Sequence, residues 1–151
     1  MKSKYVLSVE QMEHLQELGL DTSDGSMCWC YALSYKNAKW ELEIYEDVIN
    51  EKRDSAFWEI IPTYTLQDIF DKLPRYINVF CITYKLCVEP LFAGPWAISY
   101  QKSMSEPFIV KVSGNLLDAV YEMLCWCIEN RYIKTNQYES KNKSNRNDCR
   151  G

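Results

Sequence analysis

Residues 27–33 read MCWCYAL, and residues 115–130 read NLLDAVYEMLCWCIEN. The tripeptide Cys-Trp-Cys stands in both, and the fold turns on how each copy is read. The first lies in a short aromatic run with strand character, where residues i and i+2 share a face. Cys28, Cys30 and Ala32 then point one way, and Met27, Trp29, Tyr31 and Leu33 the other. In the second, Leu116, Val120, Met123, Leu124, Cys127 and Ile128 recur at helical spacing, with Asp118, Glu122 and Glu129 outside the stripe. Two residues along a helix turn about 200° around its axis. Cys125 and Cys127 therefore look in opposite directions, Cys127 into the apolar stripe and Cys125 toward the wetter side. A stripe this broad suits a helix laid across a sheet.

Two more helices are signalled around these stretches. Ser8-Val9-Glu10-Gln11 is a capping box, with Leu7 and Met12 as its hydrophobic staple and Gly19 at the far end. Thr65 with Asp68 opens a second helix, carried by Leu66, Ile69, Phe70 and Leu73 and stopped by Pro74. Strands are predicted between them. Residues 38–45 place Trp40, Leu42 and Ile44 on one face and Lys39, Glu41 and Glu43 on the wet one. Residues 34–37 join this strand to MCWCYAL as a hairpin. Further strands are expected at 56–61, 77–86, 95–102 and 107–112, with 77–86 apolar on both faces and therefore central. The charged stretch EDVINEKRDS, residues 46–55, reads as a surface loop. The expected fold is α+β: three helices packed on a mainly antiparallel sheet of about six strands, in the order α-βββ-α-βββ-α. TLQDIFDKL and NLLDAVYEM align, which suggests duplication of a βββα unit.

The chain has 151 residues, enough for one domain with a real core. Residues 1–135 are expected to form it, followed by a disordered, polar and basic tail over 136–151. Residues 134–151 hold five Lys and Arg against Glu139 and Asp148, a net +3, so the overall charge of −4 leaves −7 on the rest. An acidic body disfavours nucleic acid as a partner. No apolar run approaches the ~18–20 residues that a membrane span needs, and no export signal is evident. The expected setting is the cytoplasm of the host cell.

Seven cysteines, an odd number, point to reduced thiols packed as small hydrophobes rather than to a disulfide framework or a metal site. His14 is the only histidine and falls on a helix with no nucleophile motif near it. Asp21-Thr22-Ser23-Asp24-Gly25-Ser26 starts like a calcium loop, but position 12 would be Ala32, and the segment reads as a turn. The five glycines form no phosphate-binding pattern. The inventory thus gives no catalytic residue, no cofactor and no metal ligand. What remains is aromatic surface. Aromatics make up 14% of the chain, more than one small core absorbs, and exposed Tyr and Trp are common interface anchors. The expected interaction surface comprises Trp29, Tyr31, Tyr35, Tyr45, Trp58 and Tyr100.

Three blocks, GLDTSDGSMCWC, IPTYTLQDIFDKLP and NLLDAVYEMLCWCIENRYI, together resemble a family of small uncharacterised proteins frequent in gut anaerobic bacteria, their prophages and mobile elements. The resemblance implies a phage or mobile-element accessory protein and brings no site residue with it. Such a protein is expected to act without catalysis, by binding a host or phage protein, itself included, in the manner of a counter-defence inhibitor. The alternative is a small-ligand, nucleotide-like binder with an aromatic pocket.

Overall fold

The computed structural model describes residues 4–103 and 106–135. Its elements run α1 (Val9–Glu17), β1 (Met27–Ala32), β2 (Glu41–Ile44), α2 (Tyr45–Glu51), β3 (Trp58–Thr63), α3 (Leu66–Lys72), β4 (Tyr76–Val79), β5 (Ile82–Pro90), β6 (Trp96–Gln101), β7 (Pro107–Ser113) and α4 (Leu116–Glu129). The strands form two antiparallel sheets, ordered β2-β1-β3 and β4-β5-β6-β7. The fold is α+β, with four helices rather than three and two sheets rather than one of about six strands. The tail expected over 136–151 lies outside the described residues.

Each departure has a local cause. Residues 77–86 are a hairpin instead of one central strand. Val79 pairs with Ile82, and Phe80-Cys81 make the two-residue turn with φ of 49° and 64°. Positive φ at both positions matches the twist of the flanking strands, and such turns favour Asn-Gly. Phe-Cys there leaves no turn signal to read. Residues 46–55 contain α2 instead of only a loop. Tyr45, Val48 and Ile49 recur at helical spacing, Val48 is buried, and Glu46 and Asp47 sit favourably in the first turn. The charged residues are its wet face. The proposed duplication also fails: β1 lies between its two partners, whereas β4 to β7 form a meander. The likeness of TLQDIFDKL to NLLDAVYEM is shared capping chemistry.

The three caps form as their sequences dictate. Ser8 and Gln11 close a reciprocal capping box, Thr65 and Asp68 close another, and Asn115 accepts from the N–H groups of Leu117 and Asp118. α4 lies on β6 and β7, and α3 packs on α4. α1 packs on β3 and is tied to α4 where Lys4 and Gln11 both donate to Asp118, at 2.8 and 3.0 Å. Burial alone would raise the Asp118 pKa, but these two donors outweigh it and hold the carboxyl below its ordinary range. The turn at Asp21–Ser26 presses against β3. A Cβ on Gly25 would come within 2.6 Å of the Thr63 carbonyl oxygen, so only glycine fits.

The face assignments of two segments are corrected. On β2, Leu42 and Ile44 are exposed, while Glu43 is half-buried beneath Arg53. β2 is an edge strand, so its apolar face overhangs the core, and α2 with Arg53 covers the face expected to be wet. On α4, Cys125 is only 7% exposed and belongs to the core with Cys127. The helix has a sheet on one side and other helices beside it, so its buried arc exceeds one stripe. Replacing either Cys127 or Cys125 with Ser should therefore cost about 1–3 kcal/mol, because a buried hydroxyl is costlier to desolvate than the thiol it replaces. Urea melts of the two variants check this. A loss below about 0.5 kcal/mol at Cys125 would restore the wetter placement.

Candidate functional site

At the end of the three-stranded sheet a groove of about 470 Å³ is lined by Cys30, Ala32, Tyr35, Lys36, Asn37, Ala38, Lys39, Glu41 and Trp58. Its construction follows from strand register. Cys30 pairs with Ile60 and Ala32 with Trp58, so the Cys30 face of β1 continues onto the indole of β3. The opposite wall is the segment between β1 and β2, which brings Tyr35, Lys36 and Lys39 over that face.

Behind the groove the sheet is closed by α2. Cys28, Cys30 and Val48 form a small core of their own, with Tyr45, Trp58 and Ile60 packed against it. Lys52 ends α2 in the left-handed conformation, φ 52°, and the chain turns back to lay Arg53 across the sheet. Its guanidinium makes two bonds to Glu43, at 2.5 and 2.7 Å, and one to Glu51 at 2.8 Å. It also lies 4.5 Å from the centre of the Trp58 ring. This bidentate pairing is the strong form of the Arg–carboxylate contact, and it holds the Glu43 carboxyl below its ordinary pKa. Cys28 and Cys30 stand 3.6 Å apart, sulfur to sulfur, and burial pushes both thiols up.

The six residues expected to form one interaction surface are scattered. Tyr35 and Trp58 line the groove, and Tyr45 packs on the Cys28–Cys30 side of the sheet. Trp29 lies on the other face of β1, half-buried, its indole N–H donating to the Leu7 carbonyl at 2.9 Å. Tyr31 shares that face, with its ring 5.3 Å from that of Trp40. Tyr100 is fully buried, donates to the Pro74 carbonyl at 2.7 Å and meets the Cys127 sulfur at 3.7 Å. It is removed from the surface, because β6 is an interior strand beneath α4. Arg53, Glu43, Lys36 and Lys39 were not anticipated. The signal for the Arg53–Glu43 pair was the helical spacing of Tyr45, Val48 and Ile49, which places the following Arg53 beside β2, and no periodicity signals Lys36 and Lys39.

Other clusters are satisfied within the protein. Asp24 accepts from the Tyr64 hydroxyl at 2.8 Å and pairs with Lys72. Asp68 caps α3 and accepts from Ser26, and Asp21 accepts from the Ser23 N–H in an ordinary turn. His14 and Cys125 line one shallow depression. Burial raises the Cys125 thiol to about 11, so it is not a thiolate at neutral pH. Among the described residues no group of three His, Cys, Asp or Glu side chains is placed to hold a metal ion. None of their helices is long and apolar enough to cross a membrane. No family model, curated protein or solved structure matches the chain.

Replacing Arg53 with Met keeps most of its apolar packing but removes the clamp, and should cost about 1–2 kcal/mol at neutral pH. The Glu43 carboxyl is depressed in the folded state. Its contribution is therefore complete above the ordinary value of 4.5 and is lost as pH falls through the folded value. The gap between wild type and Arg53→Met should accordingly narrow in melts taken at progressively lower pH below 4.5. A gap that stays constant would mean that the pair contributes nothing beyond packing.

Proposed function

We propose that this protein is a non-enzymatic interaction module that grips a segment of a partner protein in the groove between Tyr35 and Trp58. One observation carries the reading: the groove opens where exposed apolar side chains crowd together. Leu33, Tyr35 and Phe57 are 51%, 72% and 58% exposed at the same end of the sheet. The Leu33 N–H donates to the Phe57 carbonyl at 3.0 Å, so these residues extend the β1–β3 pairing beyond the strand ends. Clustered exposed apolar surface around a concavity is a mark of an interaction site. Lys36 and Lys39 against Glu41 give the lining a net positive charge on an acidic protein. The fitting partner segment thus carries an aromatic or aliphatic anchor beside acidic residues. Arg53 holds the Trp58 wall before binding, which lowers the ordering cost. The family resemblance agrees with a host or phage protein as that partner.

A small-ligand role is the second reading. The groove falls within the ~300–1,000 Å³ typical of small-molecule sites. An anionic molecule with a flat ring suits its aromatic and lysine lining.

Selection from a displayed random-peptide library separates these readings. Peptides enriched on the wild type should combine an aromatic or aliphatic residue with acidic ones. They should bind at least tenfold more weakly to a Tyr35→Ala, Lys36→Glu, Lys39→Glu variant whose melting is unchanged. Equal binding to that variant would overturn the assignment of the groove. A small molecule retained in native mass spectra of the wild type and lost from the variant would establish the second reading in place of the first.

A further inference from the structure

The chain contains the same tripeptide twice, but only one copy brings its thiols together. On β1, Cys28 and Cys30 lie on one face with their sulfurs 3.6 Å apart and are 0% and 1% exposed. On α4, Cys127 turns to the Tyr100 hydroxyl, while Cys125 looks toward the depression it shares with His14. We propose that Cys28 and Cys30 form a dithiol site for a trivalent arsenical or a similar thiophilic metalloid, reached through the groove at Cys30.

The choice of ligand follows from what surrounds the pair. Zinc takes four ligands, usually at least three from protein. Among the described residues no third His, Cys, Asp or Glu is placed to complete a metal site with the pair, and the nearby Glu43 carboxylate is held by Arg53 through both oxygens. A linear two-coordinate soft metal ion places its two sulfurs on opposite sides, wider apart than these. A disulfide fits poorly as well. Residues i and i+2 of an extended strand are about 6.6 Å apart at Cα, at the upper end of the range for a disulfide. Cys28 and Cys30 are also fixed in register with both β2 and β3. Pyramidal arsenic(III), by contrast, holds two sulfurs near van der Waals contact.

Charge points the same way. Burial in the cluster with Val48, Trp58 and Ile60 raises both thiols, and a site that disfavours thiolate disfavours ligands that demand it. An organoarsenic(III) oxide reacts with two neutral thiols. Two As–S bonds form, the two S–H bonds break, and the oxide oxygen leaves with both protons as one water. Nothing is oxidised or reduced, and the product is an uncharged dithioarsenite, suited to burial against Val48, Trp58 and Ile60. Cys30 lines the groove, which supplies a path from solvent.

The duplicated tripeptide provides an internal control. Reduced full-length protein is treated with phenylarsine oxide under native conditions, and in parallel after unfolding in guanidinium, and read by intact mass spectrometry. The folded protein should take up one equivalent with loss of one water, and the unfolded chain at least two, since both Cys-Trp-Cys segments are then free to chelate. The native adduct should map to the peptide holding Cys28 and Cys30, resist a monothiol and be removed by ethanedithiol. Cys28→Ala should abolish it, while Cys125→Ala should leave it intact. If either variant fails to fold, peptide mapping on the wild type decides alone. Native uptake mapped to Cys125 and Cys127, or no uptake at one equivalent, would overturn the proposal.

Discussion

The main core of this molecule is arranged around the burial of α4. The helix hides Leu117, Ala119, Val120, Met123, Leu124, Cys125, Cys127 and Ile128, and few other elements could cover so wide an arc. β6 and β7 lie beneath it, α3 packs beside it, and α1 reaches it through Gln11 and Asp118. Burying the Leu, Val, Met and Ile side chains among them releases about 1.5–3 kcal/mol each before entropy is counted. The three-stranded sheet joins this core through Trp29 and Ile61. Its opposite face is left to α2 and Arg53, and the groove opens there.

That division sets the proposed binding surface apart from the main core. The large core holds the folded state, and the small cluster of Cys28, Cys30 and Val48 holds the groove wall. Trp58 joins the small cluster to the groove, since its indole packs on that cluster, meets Arg53 and lines the groove. A binding surface supported by a separate, smaller core can change its loop residues without disturbing the main one. Lys36, Asn37 and Lys39 are side chains of this kind, exposed and outside both clusters.

Much of the fold was legible because local chemistry and tertiary packing agreed. Ser8 with Gln11, Thr65 with Asp68, and Asn115 all cap the helices they announce, and the strands expected at 95–102 and 107–112 form as β6 and β7. The misreadings arose where tertiary context overrode pattern. Phe80-Cys81 turns the chain without turn residues, α2 hides its one buried residue among charges, and β2 overhangs the core so that Leu42 is exposed and Glu43 is not. The candidate site was half legible. Tyr35 and Trp58 stood out as aromatics. The lysines opposite them come from a loop whose path no periodicity encodes, and the Arg53 clamp depends on a helix that read as a loop.

The attachment of α2 governs how the smaller cluster moves. This helix has seven residues, no side-chain N-cap and one buried side chain. Isolated helices so short do not persist in water, so α2 stays helical only while Val48 and Arg53 remain docked. It is a separate cooperative unit of low local stability, able to undock while the α4 core remains intact. Its amides are then among the earliest to exchange with solvent deuterium. Each such opening uncovers the apolar side of β1 for a moment, so Cys28, which does not line the groove, meets reagents at the frequency of this local breathing rather than of global denaturation.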